Sequence, residues 1–141
     1  MKRLAAVLLL LLGCRAPESG PVEIAYGEDA CDLCRMIISE APFAAEARFG
    51  PDRVEKYDDV GCLGERLWGA ARPASMWVAD HASGKLHALE SMHFVRAPEL
   101  KTPMASGVAA FRESSAAEAF AAKHRGRRVS LDDIKNLRKP G

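Results

Sequence analysis

Cys31, Cys34 and Met36 stand within six residues of one another, at C-x-x-C-x-M spacing. Three soft sulfur donors this close ask for a soft metal, and Cu(I) leads the small group that takes thiolate and thioether together. Zinc would use the two thiolates but has little use for the methionine. Farther along, Cys62 adds a third thiol, and Met104 sits in the run Thr102 to Gly107 among turn-forming residues. Methionine is a common core filler, and a Pro/Gly-flanked loop is where that explanation is weakest. Met76 and Met92 fall inside strand-like runs and read as core. His81, His87, His93 and His124 form no H-x-x-x-H pair and read as surface or helix-end residues, with His87 and His93 the nearest to ligand candidates.

The N-terminus bears on the compartment. A basic start, Met1 to Arg3, leads into an unbroken apolar run from Leu4 to Leu12, shorter than the ~20 residues that span a bilayer. The run closes Leu11-Leu12-Gly13-Cys14, which resembles the lipobox of bacterial lipoproteins. That resemblance implies a signal peptide over 1–13 and a lipid on Cys14. With Arg15 following, it also implies a periplasmic anchor favouring the outer membrane. Ordinary secretory cleavage, leaving Cys14 a free thiol, is the alternative. The Pro/Gly/Ser-rich stretch 15–23 reads as a flexible linker, so 14–27 is expected to be an anchored tether. Removing 1–13 takes away two of the 20 basic side chains and none of the 19 acidic ones, leaving a net charge of −1. Nothing in that balance suggests nucleic acid, and the cluster Arg125, Arg127 and Arg128 reads as a solvated helix end. In an oxidising compartment the three remaining cysteines are an odd count, the mark of a reactive or metal-binding thiol.

These donors need a scaffold, and roughly 115 residues suffice for one domain with a modest core. Past the tether the chain runs through a similar pattern twice. Strand-like runs at 43–49 and 53–57 flank the turn Gly50-Pro51-Asp52, a helix follows over 60–71 behind Asp58 or Asp59, and a strand covers 75–79. The second pass has strands near 86–89, 92–96 and 107–112. Its helix opens with the capping-box pattern Ser115 to Glu118 and stops at Gly126, and 127–131 closes as a strand. The expected fold is therefore α+β, two small ββαβ-like units forming one domain over 28–131, with halves of about 28–84 and 85–131 and a tail at 132–141.

A helical wheel from Val60 puts Leu63, Gly64, Leu67 and Ala71 on one side and Cys62 opposite, beside Glu65, Arg66 and Gly69. A first-turn position also favours a thiolate. Two readings stay open for Cys62: a functional thiol, or a small residue packed under the N-terminal segment. A disulfide to Cys31 or Cys34 is a third. No G-x-S-x-G, H-E-x-x-H or phosphate-binding glycine loop occurs, and no catalytic residue is assigned. The surviving enzymatic reading is thiol–disulfide exchange through Cys31 and Cys34, though only a short, partly polar run precedes them where a thioredoxin-like site has a long buried strand. A scaffold with a purely structural disulfide is the blandest alternative.

The chain resembles the NosL family, the lipoprotein copper chaperones that serve nitrous oxide reductase. The marks are Cys31-x-x-Cys34-x-Met36, the run Lys56 to Cys62 leading into a helix, and Trp77 to Asp80. Ala88 with Phe94-Val95, Pro103-Met104, Ala110-Phe111 and the closing Ala-rich helix with Gly126 complete them. The resemblance implies one Cu(I) held by Cys34, Met36 and Met104, with Cys31 and Cys62 open candidates for the same metal. It also implies delivery to the reductase with an ABC-type membrane assembly as partner, and a fold of two ββαβ-like units related to organomercurial lyase. Arg35 departs from the family, where many members have Gly. It makes the turn between Cys34 and Met36 bulkier and adds a cation near the metal.

Overall fold

The structure, a computed structural model, describes residues 20–69 and 72–138. The expected signal peptide, Cys14 and the first part of the tether lie outside these residues. Strand β1 (Ala45–Gly50) turns through Pro51-Asp52 into β2 (Arg53–Tyr57), followed by helix α1 (Val60–Arg66) and β3 (Ser75–Ala79). Strand β4 (Leu86–Ala88) then leads to β5 (His93–Arg96), β6 (Val108–Phe111), helix α2 (Ser114–Lys123), β7 (Arg127–Val129) and helix α3 (Leu131–Lys135).

The sheets have orders β2-β1-β3-β4 and β6-β5-β7, with every pairing antiparallel. In each pass the first strand is central, flanked by the second strand and by the strand after the helix. This is the doubled ββαβ pattern expected from the sequence. Leu86–Ala88, expected to open the second pass, instead pairs β3 and extends the first sheet.

Helix α1 is shorter than the expected 60–71. Asp59 caps its start, its carboxylate accepting the Gly61 N–H at 2.7 Å. At the other end the Arg72 guanidinium donates to the Leu67 and Gly69 carbonyls, and the Trp68 indole N–H donates to the Lys135 carbonyl of α3. Those bonds satisfy the terminal carbonyls and turn the chain out of the helix. Gly61 and Gly64 would each weaken an isolated helix by about 1 kcal/mol. Here they permit close approach: a Cβ on Gly61 would meet the Ser106 Cβ at 2.8 Å, and one on Gly64 would meet Ile134 Cγ2 at 2.9 Å.

The capping box expected at Ser115 is not formed. Ser114 is the first helical residue of α2 and its hydroxyl donates to Glu118, with no side-chain cap at Glu113. A capping box occurs instead at Ser130 and Asp133, and it opens α3 and ends β7 at Val129. The main core runs from Ile24, Cys31 and Ile38 across β1 and β3 to α1, β5, β6 and Ile134. A smaller one, with Val95, Ala109, Phe111 and Ala117, lies under α2.

Candidate metal centre

Residues Cys31 to Met36 form a tight turn rather than the start of a helix. The Cys31 N–H donates to the Met36 carbonyl at 2.8 Å and the Arg35 N–H to the Cys31 carbonyl at 2.9 Å. Arg35 sits at φ +67°, a left-handed conformation that favours glycine, so this chain tolerates local strain here. Its guanidinium turns outward, 76% exposed, with Asp32 at 3.8 Å. The turn hangs on the last part of β2. The Asp32 N–H donates to the Lys56 carbonyl at 2.8 Å and the Lys56 N–H to the Asp32 carboxylate at 2.7 Å. Lys56 also ion-pairs with Asp29 at 2.6 Å. The two residues after Lys56 reach Asp58, so the cysteine turn is held directly over the junction of β2 and α1.

At that junction the sulfurs of Cys31, Cys34 and Cys62 and a carboxylate oxygen of Asp58 all lie within 4.8 Å of one another. All three cysteines are free thiols. Cys31 and Cys62 are 0% exposed, Asp58 is 1% exposed, and Cys34 is half-buried. The Cys34 thiol lies 3.5 Å from both Asp58 oxygens and the Cys62 thiol 3.4 Å from one of them. Cys62 has one proton and two acceptors competing for it, Asp58 and the Cys31 sulfur. The Cys62 thiol holds Cys31 down to about 6 despite burial, and backbone N–H groups of Cys34, Asp58 and Leu33 help. The same contact, then burial, pushes Cys62 up. Burial pushes Cys34 up to about 11, reinforced by the neighbouring Cys31 and Asp58. Cys31 is thus the most easily deprotonated sulfur of the set, while a metal ion at Cys34 or Cys62 would have to displace a proton.

The wheel-based expectation that Cys62 faces the polar side of its helix is corrected. Val60, Gly61, Cys62, Leu63 and Gly64 are all buried, because the N-terminal segment covers the side opposite Leu63. Asp58 is the residue sequence reasoning missed. The sequence allows either Asp58 or Asp59 as the α1 cap, and Asp59 fills that role. The available signal was a second carboxylate where a cap needs one, four residues before a cysteine.

The methionines are placed differently. Met36 is 53% exposed, at the open side of the turn. Met104 is half-buried and packs against the main core. Its loop is tied to the same junction. The Met104 N–H and the Thr102 hydroxyl both donate to one Asp59 carboxylate oxygen, at 3.0 and 2.7 Å, and the Arg138 guanidinium donates to the Met104 carbonyl. Ala105 at φ +57° and Gly107 at φ +68° give that loop its shape.

The histidines take no part. His87 and His93 each have an arginine against Nδ1, Arg112 at 3.2 Å and Arg128 at 2.9 Å. His81, expected on the surface, is half-buried against the rings of Phe43, Phe111 and Phe120, and burial lowers its basicity.

A small α+β protein of two antiparallel sheets, with free thiols and a carboxylate converging under a strand–helix junction, is thus defined by fold and site. The chain belongs to the NosL family, whose sequence profile matches residues 21–137. Its fold is that of the copper chaperone NosL from Shewanella denitrificans, with a TM-score of 0.70 at 18% identity, covering 86% of this chain and 100% of that one. No curated protein matches the chain.

Proposed function

We propose that this protein is a Cu(I) chaperone that works at the periplasmic side of the cell envelope, anchored through lipid on Cys14. It would supply copper for metal-centre assembly in nitrous oxide reductase, together with an ABC-type maturation complex. The observation that carries the copper reading is the cluster at one junction, where the sulfurs of Cys31, Cys34 and Cys62 and a carboxylate oxygen of Asp58 lie within 4.8 Å of one another, with Met36 exposed two residues after Cys34. Membership of the NosL family and the fold shared with a copper chaperone support it.

Cu(I) accepts few ligands and needs no rigid polyhedron, so one thiolate with two thioethers is a workable set. Neutral thioethers hold more loosely than thiolates, which suits a cargo that must be released. Thiol–disulfide exchange is less well supported. The C-x-x-C motif lies in a turn instead of at a helix start, and its first cysteine is fully buried.

The test is anaerobic titration of the reduced protein with Cu(I) against a chromophoric chelator. The expected result is one ion per chain, with Cys34→Ser weakening binding by about a hundredfold, roughly 2.7 kcal/mol. Unchanged affinity in Cys34→Ser would refute the site.

A further inference from the structure

We propose that copper occupies two stations in this protein that share Cys34. The outer one uses the thioethers of Met36 and Met104, and the inner one uses the sulfurs of Cys31, Cys34 and Cys62 above the Asp58 carboxylate. This deepens the copper reading given above and rests on it.

Geometry points to the inner station. Two metal–sulfur bonds of about 2.3 Å, the length known for zinc thiolates, span at most about 4.6 Å. The donor atoms of the inner set all lie within 4.8 Å of one another. A single ion can therefore bridge any pair of them with sub-ångström adjustment of the donor atoms.

Charge points to the same station. Asp58 is buried, and among the described residues its side-chain hydrogen-bond donors are the Cys34 and Cys62 thiols. Among the described residues no lysine, arginine or histidine forms an ion pair with it. A metal ion among these thiols would sit against a buried carboxyl that has no other cation beside it among the described residues.

Access distinguishes the two stations. Exposure falls from Met36 at 53% through half-buried Cys34 to Cys31 and Cys62 at 0%. Donor strength rises along the same line, from neutral thioether to thiolate. Copper arriving at Met36 passes inward by ligand exchange. A methionine–copper bond breaks as a cysteine–copper bond forms, the displaced thiol proton leaves to water, and copper stays monovalent throughout. The inner station retains the ion, and the outer one offers it to the acceptor.

The experiment uses the full reduced chain. Cys31→Ser and Cys62→Ser are each expected to weaken Cu(I) binding at least tenfold in chelator competition. If both keep wild-type affinity while Cys34→Ser loses it, the inner station is overturned and the outer copper site stands. Since buried substitutions can impair folding, a second measurement uses the wild type. A brief pulse of N-ethylmaleimide in mild denaturant, followed by peptide mapping, should label Cys31, Cys34 and Cys62 in the apo protein. One equivalent of Cu(I) should protect all three. Protection confined to Cys34 overturns the proposal. Failure of the wild type to take up Cu(I) at all would instead refute the copper reading beneath it.

Discussion

Glu55 braces the strand that carries the metal junction, and its energetics can be worked through. The carboxylate lies between β2 and α1, 9% exposed, and accepts from Arg66 Nε at 2.7 Å, Tyr57 Oη at 2.7 Å and Arg53 Nη2 at 2.5 Å. Burial opposes its ionisation, but the hydrogen bonds from Arg66, Tyr57 and Arg53 outweigh it and bring the carboxyl from 4.5 down to about 2. Its pKa is lower folded than unfolded, so the unfolded chain binds more protons in the acid range and stability falls as the pH is lowered. The contribution is complete above about pH 4.5 and is lost as pH falls toward 2. At 1.36 kcal/mol per pH unit the difference is about 3 kcal/mol. Arg53 is 60% exposed and its share is screened by solvent, leaving roughly 2–3 kcal/mol. Glu55→Gln should therefore unfold about 2–3 kcal/mol more easily than the wild type in urea at pH 6.5. That gap should close as both are titrated to pH 2.5. Comparing the two proteins cancels the other carboxylates, Asp29, Asp80 and Asp133, that native contacts also hold low. A gap of equal size at both pH values would refute the reasoning.

Two further substitutions probe how α1 sets the site. Gly61→Ala would place a Cβ 2.8 Å from the Ser106 Cβ and 3.1 Å from the Asp59 carboxylate. It should cost about 1–3 kcal/mol in urea unfolding and weaken Cu(I) binding by displacing the Met104 loop. Wild-type stability and affinity would show that the loop yields freely. Asp59→Ala removes the α1 cap and the acceptor for both Thr102 and Met104. It is expected to lose about 2–4 kcal/mol, more than the typical 1 kcal/mol of a cap alone, because buried donors are left unpaired. A loss no larger than that of an exposed cap would show that the loop is held by other contacts.

The doubled ββαβ order was legible because its signals are local: Pro51-Asp52 between alternating runs, and a carboxylate at the head of α1. Strand neighbours were less so. Leu86–Ala88 has no local feature that says which sheet it joins, and pairing with β3 decides it. The site divides in the same way. Cys31, Cys34 and Met36 stand out as candidates by spacing, since all three lie on one turn. Cys62 could not be placed by a helical wheel, because a wheel assumes one buried face. Here residues 24–38 cover the side that the wheel assigns to solvent, held by bonds from the Lys56 main chain to the Asp32 N–H and carboxylate, which leave no periodic trace in the sequence.

Asp58 shows what a better sequence argument would require. A helix start uses one side-chain acceptor, and Asp59 supplies it, so Asp58 has no local role and needs a tertiary one. A carboxylate that is both redundant as a cap and followed four residues later by cysteine is physically expensive to bury unless something cationic or protonated meets it. Among the described residues the side chains that hydrogen-bond to it are thiols, and they include half-buried Cys34. In the copper reading proposed above, buried Asp58 and exposed Met36 are two ends of one arrangement, a carboxyl beneath the thiols and a loosely binding sulfur at the surface.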